Sequence, residues 1–143
     1  MPIKQHDVVC DSMSATILIV DDKETNVLLL EMLLRRVGYS AISSTTNPRT
    51  VCDLHRTNRY DLILLDLEMP GMDGFEVMAL LKEIEPDDLP VIVITALPSH
   101  KIKALELGAK DFISKPFYQA EVLLRVRAAI EARLLYTASQ GVV

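Results

Sequence analysis

Short apolar runs recur along the chain and predict about five β-strands. They lie at residues 16–20, 41–45, 62–66, 91–95 and 111–114, and the second run is the weakest. The run at 62–66 has four apolar residues in succession before it reaches an aspartate. Because such a run leaves no polar face, it is typical of a strand that is buried on both sides of a sheet.

Between these runs, apolar residues recur at helical spacing and predict five helices. The first helix, residues 23–37, has a stripe of apolar residues and ends before Gly38, which fits a C-terminal cap. Asn47 and Pro48 suit the start of the second helix, and Ser99 is the predicted cap of the fourth. The stripe of the first helix consists of Val27, Leu30, Leu34 and Val37. The other predicted helices cover residues 47–57, 74–84, 99–108 and 119–136.

Strands that alternate with helices predict a parallel sheet covered on both faces, with right-handed crossovers. For about five strands the flavodoxin-like doubly wound (βα)5 arrangement is expected, an α/β fold with strand order 2-1-3-4-5. We assign one domain to residues 16–130. Residues 1–15 lack a period and are interpreted as a mobile tail, and residues 131–143 as an extension of the last helix.

Composition narrows the possible function. The 143 residues carry a net charge of −5, which argues against a nucleic-acid-binding surface. No apolar run approaches the roughly 20 residues of a membrane span, so no membrane association is expected. Cys10 and Cys52 form neither a disulfide framework nor metal-ligand spacing. A reduced, cytoplasmic setting is therefore the expectation.

Polar side chains stand at the predicted carboxyl ends of four strands: Asp21 and Asp22, Asp66, Thr95 and Lys115. The strand order brings these ends to one crevice, where ligands of such sheets bind. Two carboxylates about 4 Å apart repel by about 4 kcal/mol at an effective dielectric constant of about 20, so converging acids favour a bound cation. Oxygen ligands suit Mg²⁺. A lysine and a threonine beside the cation would suit a phosphoryl group, with Asp66 as the nucleophile.

Each of these residues also has an ordinary structural interpretation. Asp22 could cap the helix that follows it, Thr95 could be a plain strand residue, and Lys115 a solvated one. The joint placement at four strand ends favours the functional interpretation.

The ordered set of motifs resembles the receiver domain of two-component response regulators. The resemblance covers about residues 17–130 and implies that Asp66 accepts a phosphoryl group from the phosphohistidine of a histidine kinase. It rests on Asp21-Asp22, on Asp66 followed by Met-Pro-Gly-Met-Asp-Gly at 69–74, on Thr95-Ala96 and on Lys115-Pro116-Phe117.

The resemblance also implies a Mg²⁺ site. Asp22 would bind the ion directly and Asp21 mainly through water. Asp66 would be a further ligand, and Glu68 would contribute its backbone carbonyl.

The same resemblance assigns the groups that receive the phosphoryl oxygens. Lys115 would pair with them, and the Thr95 hydroxyl and Ala96 amide would donate hydrogen bonds to them. Phe112 matches the switch aromatic of the family, without the hydroxyl that a tyrosine would offer. The Lys115–Pro116 bond would be cis.

The implied partners are a histidine kinase or a histidine phosphotransfer protein, and an effector domain or output partner. The output face would consist of the fourth helix, the fifth strand and the last helix, and this face or the last helix would also serve a homodimer. The end of the last helix resembles a signalling helix that leads to an effector, although a frayed terminus fits equally well. Chemistry beyond self-phosphorylation and self-dephosphorylation is not expected, so the domain is not interpreted as an enzyme.

Two alternatives use similar residues. A haloacid-dehalogenase-like, Mg²⁺-dependent phosphatase also has an aspartyl nucleophile, but there the nucleophile lies on the first strand and the acidic pair comes last. A flavodoxin-like cofactor binder needs a Ser-, Thr- or Gly-rich phosphate loop after the first strand, where this chain has Asp21 and Asp22. Turnover of small phosphomonoesters would identify the phosphatase.

Overall fold

Strands and helices alternate along the chain in the computed structural model, which describes residues 12–85 and 89–141, except for the side chains of residues 140 and 141. The strands are β1 (Ile17–Val20), β2 (Ile42–Thr45), β3 (Leu62–Asp66), β4 (Val91–Thr95) and β5 (Asp111–Ser114). The helices are α1 (Glu24–Arg36), α2 (Val51–Asn58), α3 (Gly74–Ile84), α4 (Pro98–Glu106) and α5 (Gln119–Gly141), with a 3-10 turn at Pro48–Thr50 before α2.

The five strands form one parallel sheet in the order β2-β1-β3-β4-β5, which confirms the predicted fold. The register pairs Val20 with Leu65 and Thr95 with Ser114. Asp66 pairs with Ile94 on β4. The carboxyl ends of β1, β3, β4 and β5 therefore lie side by side along one edge of the sheet.

Alternate residues of the strands enter two separate cores, one on each face of the sheet. On one face, Ile19 and Leu64 pack with α1 and α5; on the other, Val20 and Leu65 pack with α2, α3 and α4. Burial of each such side chain stabilises the fold by about 1.5–3 kcal/mol. Because both faces are covered, every residue of β1, β3 and β4 is buried, as the unbroken apolar runs predict.

Some predicted helix boundaries are wrong. Asn47 and Pro48 open the 3-10 turn, whereas α2 itself begins at Val51. The fourth helix begins at Pro98 with Leu97 in the N-cap position, so Ser99 lies within the first turn and does not cap it. The fixed φ of proline suits the first turn of a helix, and this places the start one residue earlier. Val37 is not part of the apolar stripe: α1 ends at Arg36, and Val37 is 42% exposed where the chain turns at Gly38, whose φ is +115°.

The two ends of the chain also bear on the predicted boundaries. Residues 1–11 of the predicted tail lie outside the described residues, whereas Met13 and Ala15 pack against the core. Helix α5 continues past residue 136 to Gly141. Along this extension Leu134 contacts the core and Leu135 is exposed. Among residues 12–85 and 89–141, no helix combines the length and apolarity that crossing a membrane requires.

Candidate functional site

Asp66 ends β3 at the carboxyl edge of the sheet, and it is 1% exposed. Its Oδ1 accepts hydrogen bonds from Lys115 Nζ at 2.9 Å and from the Glu68 backbone N–H at 3.4 Å. Its Oδ2 is buried and has no hydrogen-bond partner among the described residues. Burial raises the pKa of Asp66 to about 6; Lys115 opposes the rise and Asp21 adds to it.

Asp21, Asp22 and Asp66 form an acidic cluster, with one carboxylate oxygen of each lying within 4.8 Å of the others. Asp21 already accepts hydrogen bonds on both oxygens, from the Lys23 backbone N–H at 2.9 Å and from Asn26 Nδ2 at 3.1 Å. Asp22 Oδ1 is buried without a partner in the described part of the chain. Buried carboxylate oxygens without donors are costly unless a cation binds them, so the cluster fits Mg²⁺.

The segment after Asp66 folds back against the end of β3 because Gly74 leaves room for it. A Cβ atom at Gly74 would lie 2.7 Å from the Asp66 carbonyl oxygen and 2.8 Å from Leu67 Cα. The Gly74 N–H donates to the Leu67 carbonyl at 3.1 Å. Asp73 then caps α3 by accepting from the Glu76 N–H at 2.9 Å. These contacts hold the segment that carries Glu68 beside the acidic cluster.

Lys115 and Thr95 reach the site from β5 and β4. Lys115 follows β5, its peptide bond to Pro116 is cis, and its Nζ lies 3.9 Å from Asp21 Oδ2 as well as 2.9 Å from Asp66. Although burial lowers it, the hydrogen bond and charge of Asp66 raise the pKa of Lys115 above its ordinary value. Thr95 is fully buried. The structure thus brings Lys115, Thr95 and the acidic cluster together.

The Glu68 side chain accepts hydrogen bonds from two donors at the end of β4 and in the segment that leads to α4. Its Oε2 accepts from the Thr95 hydroxyl at 2.8 Å, and its Oε1 accepts from the Ala96 N–H at 2.9 Å. His100 Nδ1 lies 3.4 Å from Oε2. Burial raises the pKa of Glu68, but the hydrogen bonds from Ala96, Thr95 and His100 outweigh it and lower the pKa below its ordinary value.

Phe112 lies outside this cluster of polar groups. It is partly buried against the core that contains α4, with Lys101 Nζ 5.1 Å and Arg125 Cζ 5.7 Å from its ring centroid. Arg125 NH1 also donates to both carboxylate oxygens of Asp111, at 3.0 and 2.9 Å. These contacts tie Phe112 to α4 and α5.

Within the site, sequence reasoning missed the side-chain contacts of two residues, Asn26 and Glu68. Asn26, in the first turn of α1, donates to Asp21, which lies five residues before it along the chain. Glu68 was assigned through its backbone carbonyl alone. Its position two residues after Asp66 could have suggested a side chain on the same side of the chain. Its contact with His100 had no sequence signal.

The arrangement suits phosphoryl chemistry. The buried Asp66 carboxylate, with one oxygen that no donor of residues 12–85 and 89–141 reaches, stands beside two further aspartates and an ammonium group, and a hydroxyl and a backbone N–H lie on the next loop. A nucleophile, positive charge and oriented donors are the groups that stabilise a transferring phosphoryl group.

Comparisons with known proteins identify the family of this chain. A profile of the family described as "Response regulator receiver domain" matches residues 17–127. The response regulator PleD of Caulobacter vibrioides is 42% identical over 127 residues, which are 86% of this chain and 28% of PleD. The transcriptional regulatory protein YvrH of Bacillus subtilis is 36% identical over 120 residues, which are 82% of this chain and 50% of YvrH.

Solved structures give the same result. The receiver domain of NtrX from Brucella abortus matches with a TM-score of 0.75 at 27% identity, over 80% of this chain and 98% of that chain. The receiver domain of a signal transduction histidine kinase from Syntrophus aciditrophicus matches with a TM-score of 0.74 at 34% identity, over 83% and 92%. None of these matches supports a haloacid-dehalogenase-like phosphatase. The chain therefore belongs to the response regulator receiver domains, as its strand-end motifs predict.

Proposed function

We propose that Asp66 accepts a phosphoryl group from the phosphohistidine of a histidine kinase or histidine phosphotransfer protein. The observation that carries the proposal is the Asp66 carboxylate itself: it is buried, Lys115 binds one oxygen, and the other oxygen has no donor among the described residues. A buried carboxylate that is only half satisfied is costly for a purely structural role and suits a nucleophile.

In the transfer, an Asp66 oxygen attacks phosphorus and forms a P–O bond while the P–N bond to the imidazole breaks. The departing imidazole keeps the electron pair of that bond and takes up a proton. Lys115, 2.9 Å from Asp66, is placed to neutralise charge on the phosphoryl oxygens.

Mg²⁺, when bound, would supply Lewis-acid stabilisation of the phosphoryl oxygens. Asp22 and Asp66 each have a buried oxygen that receives no donor from the described part of the chain, and both would bind the ion directly. Asp21, whose oxygens are already hydrogen-bonded, would act mainly through water. The Glu68 backbone carbonyl completes the proposed protein ligands.

We also propose that the face formed by α4, β5 and α5 changes on phosphorylation and transmits the signal. Thr95 and Ala96 would donate to the phosphoryl oxygens, and Phe112 would respond by changing its packing between Lys101 and Arg125. An effector domain, an output partner or a second copy of the chain would bind this face or the last helix. The domain itself is proposed to catalyse only its own phosphorylation and dephosphorylation, in a cytoplasmic setting.

The chain spans about a quarter to half of the relatives it matches, 28% of PleD and 50% of YvrH. We therefore propose the receiver as residues 16–130, and residues 131–143 as the link along α5 to an effector. Any further activity of a longer protein would reside outside the receiver.

Intact-mass analysis after incubation with acetyl phosphate tests the acceptor. Wild-type protein with Mg²⁺ should gain one phosphoryl group, and Asp66→Asn should gain none. Asp53→Asn is the matched control, because Asp53 is an aspartate whose side chain is 84% exposed on α2, and it should be labelled like the wild type. Equal labelling of the wild type and Asp66→Asn, or labelling that ignores Mg²⁺, would refute the assignment.

A further inference from the structure

The carboxylate of Glu68 contacts the two donors that the proposed function assigns to the phosphoryl group. The Thr95 hydroxyl and the Ala96 N–H both point to Glu68, at 2.8 and 2.9 Å, and each reaches a different oxygen. The Glu68 carboxylate and a phosphoryl group thus offer these donors the same kind of acceptor, namely two anionic oxygens bonded to one atom. Hydrogen bonds to an ionised acceptor are about twice as strong as neutral ones.

Further contacts hold the Glu68 carboxylate in place. His100 lies 3.4 Å from Oε2, and the His100 ring packs edge-on against Phe75 at 5.2 Å between centroids. The Glu68 backbone N–H donates to Asp66 Oδ1, so the residue is attached to the acceptor at one end and to the β4–α4 segment at the other. As a carboxylate, Glu68 can accept on both oxygens at once, and both are used.

We propose that the Glu68 side chain is an internal competitor of the phosphoryl group, which must leave Thr95 and Ala96 before phosphorylated Asp66 can engage them. The inference rests on the proposed function, since it concerns the donors that the phosphoryl oxygens would use. Each donor has one hydrogen to give, so Glu68 and the phosphoryl group cannot both accept it in full. Glu68 therefore weakens the binding of the phosphoryl oxygens to Thr95 and Ala96.

The size of this loss of affinity depends on the fraction of time for which Glu68 accepts hydrogen bonds from the two donors, which we call the closed contact. A site whose competent form is populated one-tenth of the time binds its ligand about tenfold more weakly than the open site would. With two charge-assisted hydrogen bonds holding it, the Glu68 contact is expected to be closed about nine-tenths of the time. Glu68→Ala should therefore tighten binding of beryllofluoride, a phosphoryl mimic, by about tenfold in the presence of Mg²⁺.

Beryllofluoride titration of the full 143-residue chain measures this affinity. Loss of a negative charge would also favour an anion, so the titration is repeated in about 1 M NaCl, where the Debye length is about 3 Å and longer-range attraction through solvent is largely screened. The tightening should survive in high salt. Glu83→Ala removes the same charge from an exposed position on α3 and should leave the affinity within about twofold of the wild type.

Hydrogen exchange of the Ala96 amide gives a second readout that needs no phosphoryl mimic. In the unmodified protein this amide should exchange faster in Glu68→Ala than in the wild type, because its acceptor is gone. An unchanged Ala96 amide, equal beryllofluoride affinities, or a gain that disappears in high salt would each overturn the competition while leaving the acceptor role of Asp66 intact. Failure of both the wild type and Glu68→Ala to bind beryllofluoride would instead overturn the proposed function on which the inference rests.

Discussion

At the scale of single residues, Asp66 is under two opposing influences. Burial and the nearby charge of Asp21 disfavour its ionised form, whereas Lys115 at 2.9 Å favours it. Burial prevails, and the pKa rises from 3.8 to about 6. The ionised form of Asp66 is thus costly in this buried position.

This shift predicts a pH dependence of stability in the metal-free protein. An acid whose pKa is higher in the folded than in the unfolded state stabilises the fold below its unfolded pKa of about 4, and the benefit is lost as pH rises through about 6. The rise of the Asp66 pKa from 3.8 to about 6 corresponds to about 3 kcal/mol. Asp66→Asn, which does not ionise, should therefore gain up to about that much unfolding free energy over the wild type between pH 4 and pH 7.5. Urea unfolding in EDTA at both pH values measures the gain, and a difference that stays constant with pH would refute it.

At the scale of elements, one buried histidine joins three segments at the end of the sheet opposite the acidic cluster. His55 in α2 is fully buried, and its Nδ1 accepts from the Tyr60 N–H at 3.1 Å. The proton therefore lies on Nε2, which is hydrogen-bonded to Glu85 just after α3. Arg133 of α5 lies 3.4 Å from the same glutamate. Helices α2, α3 and α5 thus share one polar junction.

Removal of this histidine should cost more than removal of an exposed neighbour. His55→Ala would leave a cavity and deprive the Tyr60 N–H of its acceptor, which together should lower the unfolding free energy by about 2–5 kcal/mol. Arg56→Ala on the same helix, where the side chain is 57% exposed, should change it by less than about 0.5 kcal/mol. Equilibrium urea unfolding measures both, and a loss below about 1 kcal/mol for His55→Ala would show that the junction does not stabilise the fold.

At the scale of the whole molecule, the sheet separates two cores and carries the site along one edge. The donors of that edge lie at the start of α4, and Phe112 on β5 contacts Lys101 of α4 and Arg125 of α5. A change at Thr95 therefore has a short physical route to the face formed by α4, β5 and α5.

These contacts predict that Thr95→Ala weakens the conformational response to phosphorylation. A charge-assisted hydrogen bond supplies about 1.5–3 kcal/mol, whereas moving a population from 1:99 to 99:1 needs about 5.5 kcal/mol. Lys115 must therefore contribute as well. Thr95→Ala should still be phosphorylated at Asp66 but should respond weakly across residues 99–121.

Amide hydrogen exchange with and without beryllofluoride measures this response. Thr57→Ala, at an exposed threonine of α2, is the matched control and should respond like the wild type. A Thr95→Ala protein whose exchange changes equal those of the wild type would remove Thr95 from the switch.

The sequence alone determined the sheet and the convergence of the site. Unbroken apolar runs at β1, β3 and β4 required burial on both faces, and alternation with helices required parallel strands. Strands end where apolar runs stop, and the strand order places those ends side by side. The convergence of the site therefore followed from topology for Asp21, Asp22, Asp66, Thr95 and Lys115. These are properties of local pattern and chain connectivity, which the sequence carries directly.

Only the tertiary structure decided where the polar side chains of loops and helix ends are directed. Glu68 meets Ala96 across 28 residues, and His55 meets Glu85 across 30, through side-chain contacts that no periodicity encodes. The start of α4 at Pro98 instead of Ser99 likewise depends on which of two adjacent residues the β4–α4 turn places in helical geometry. In each case the outcome depends on competition between donors and acceptors brought close by other elements, and that competition exists only after the chain has folded.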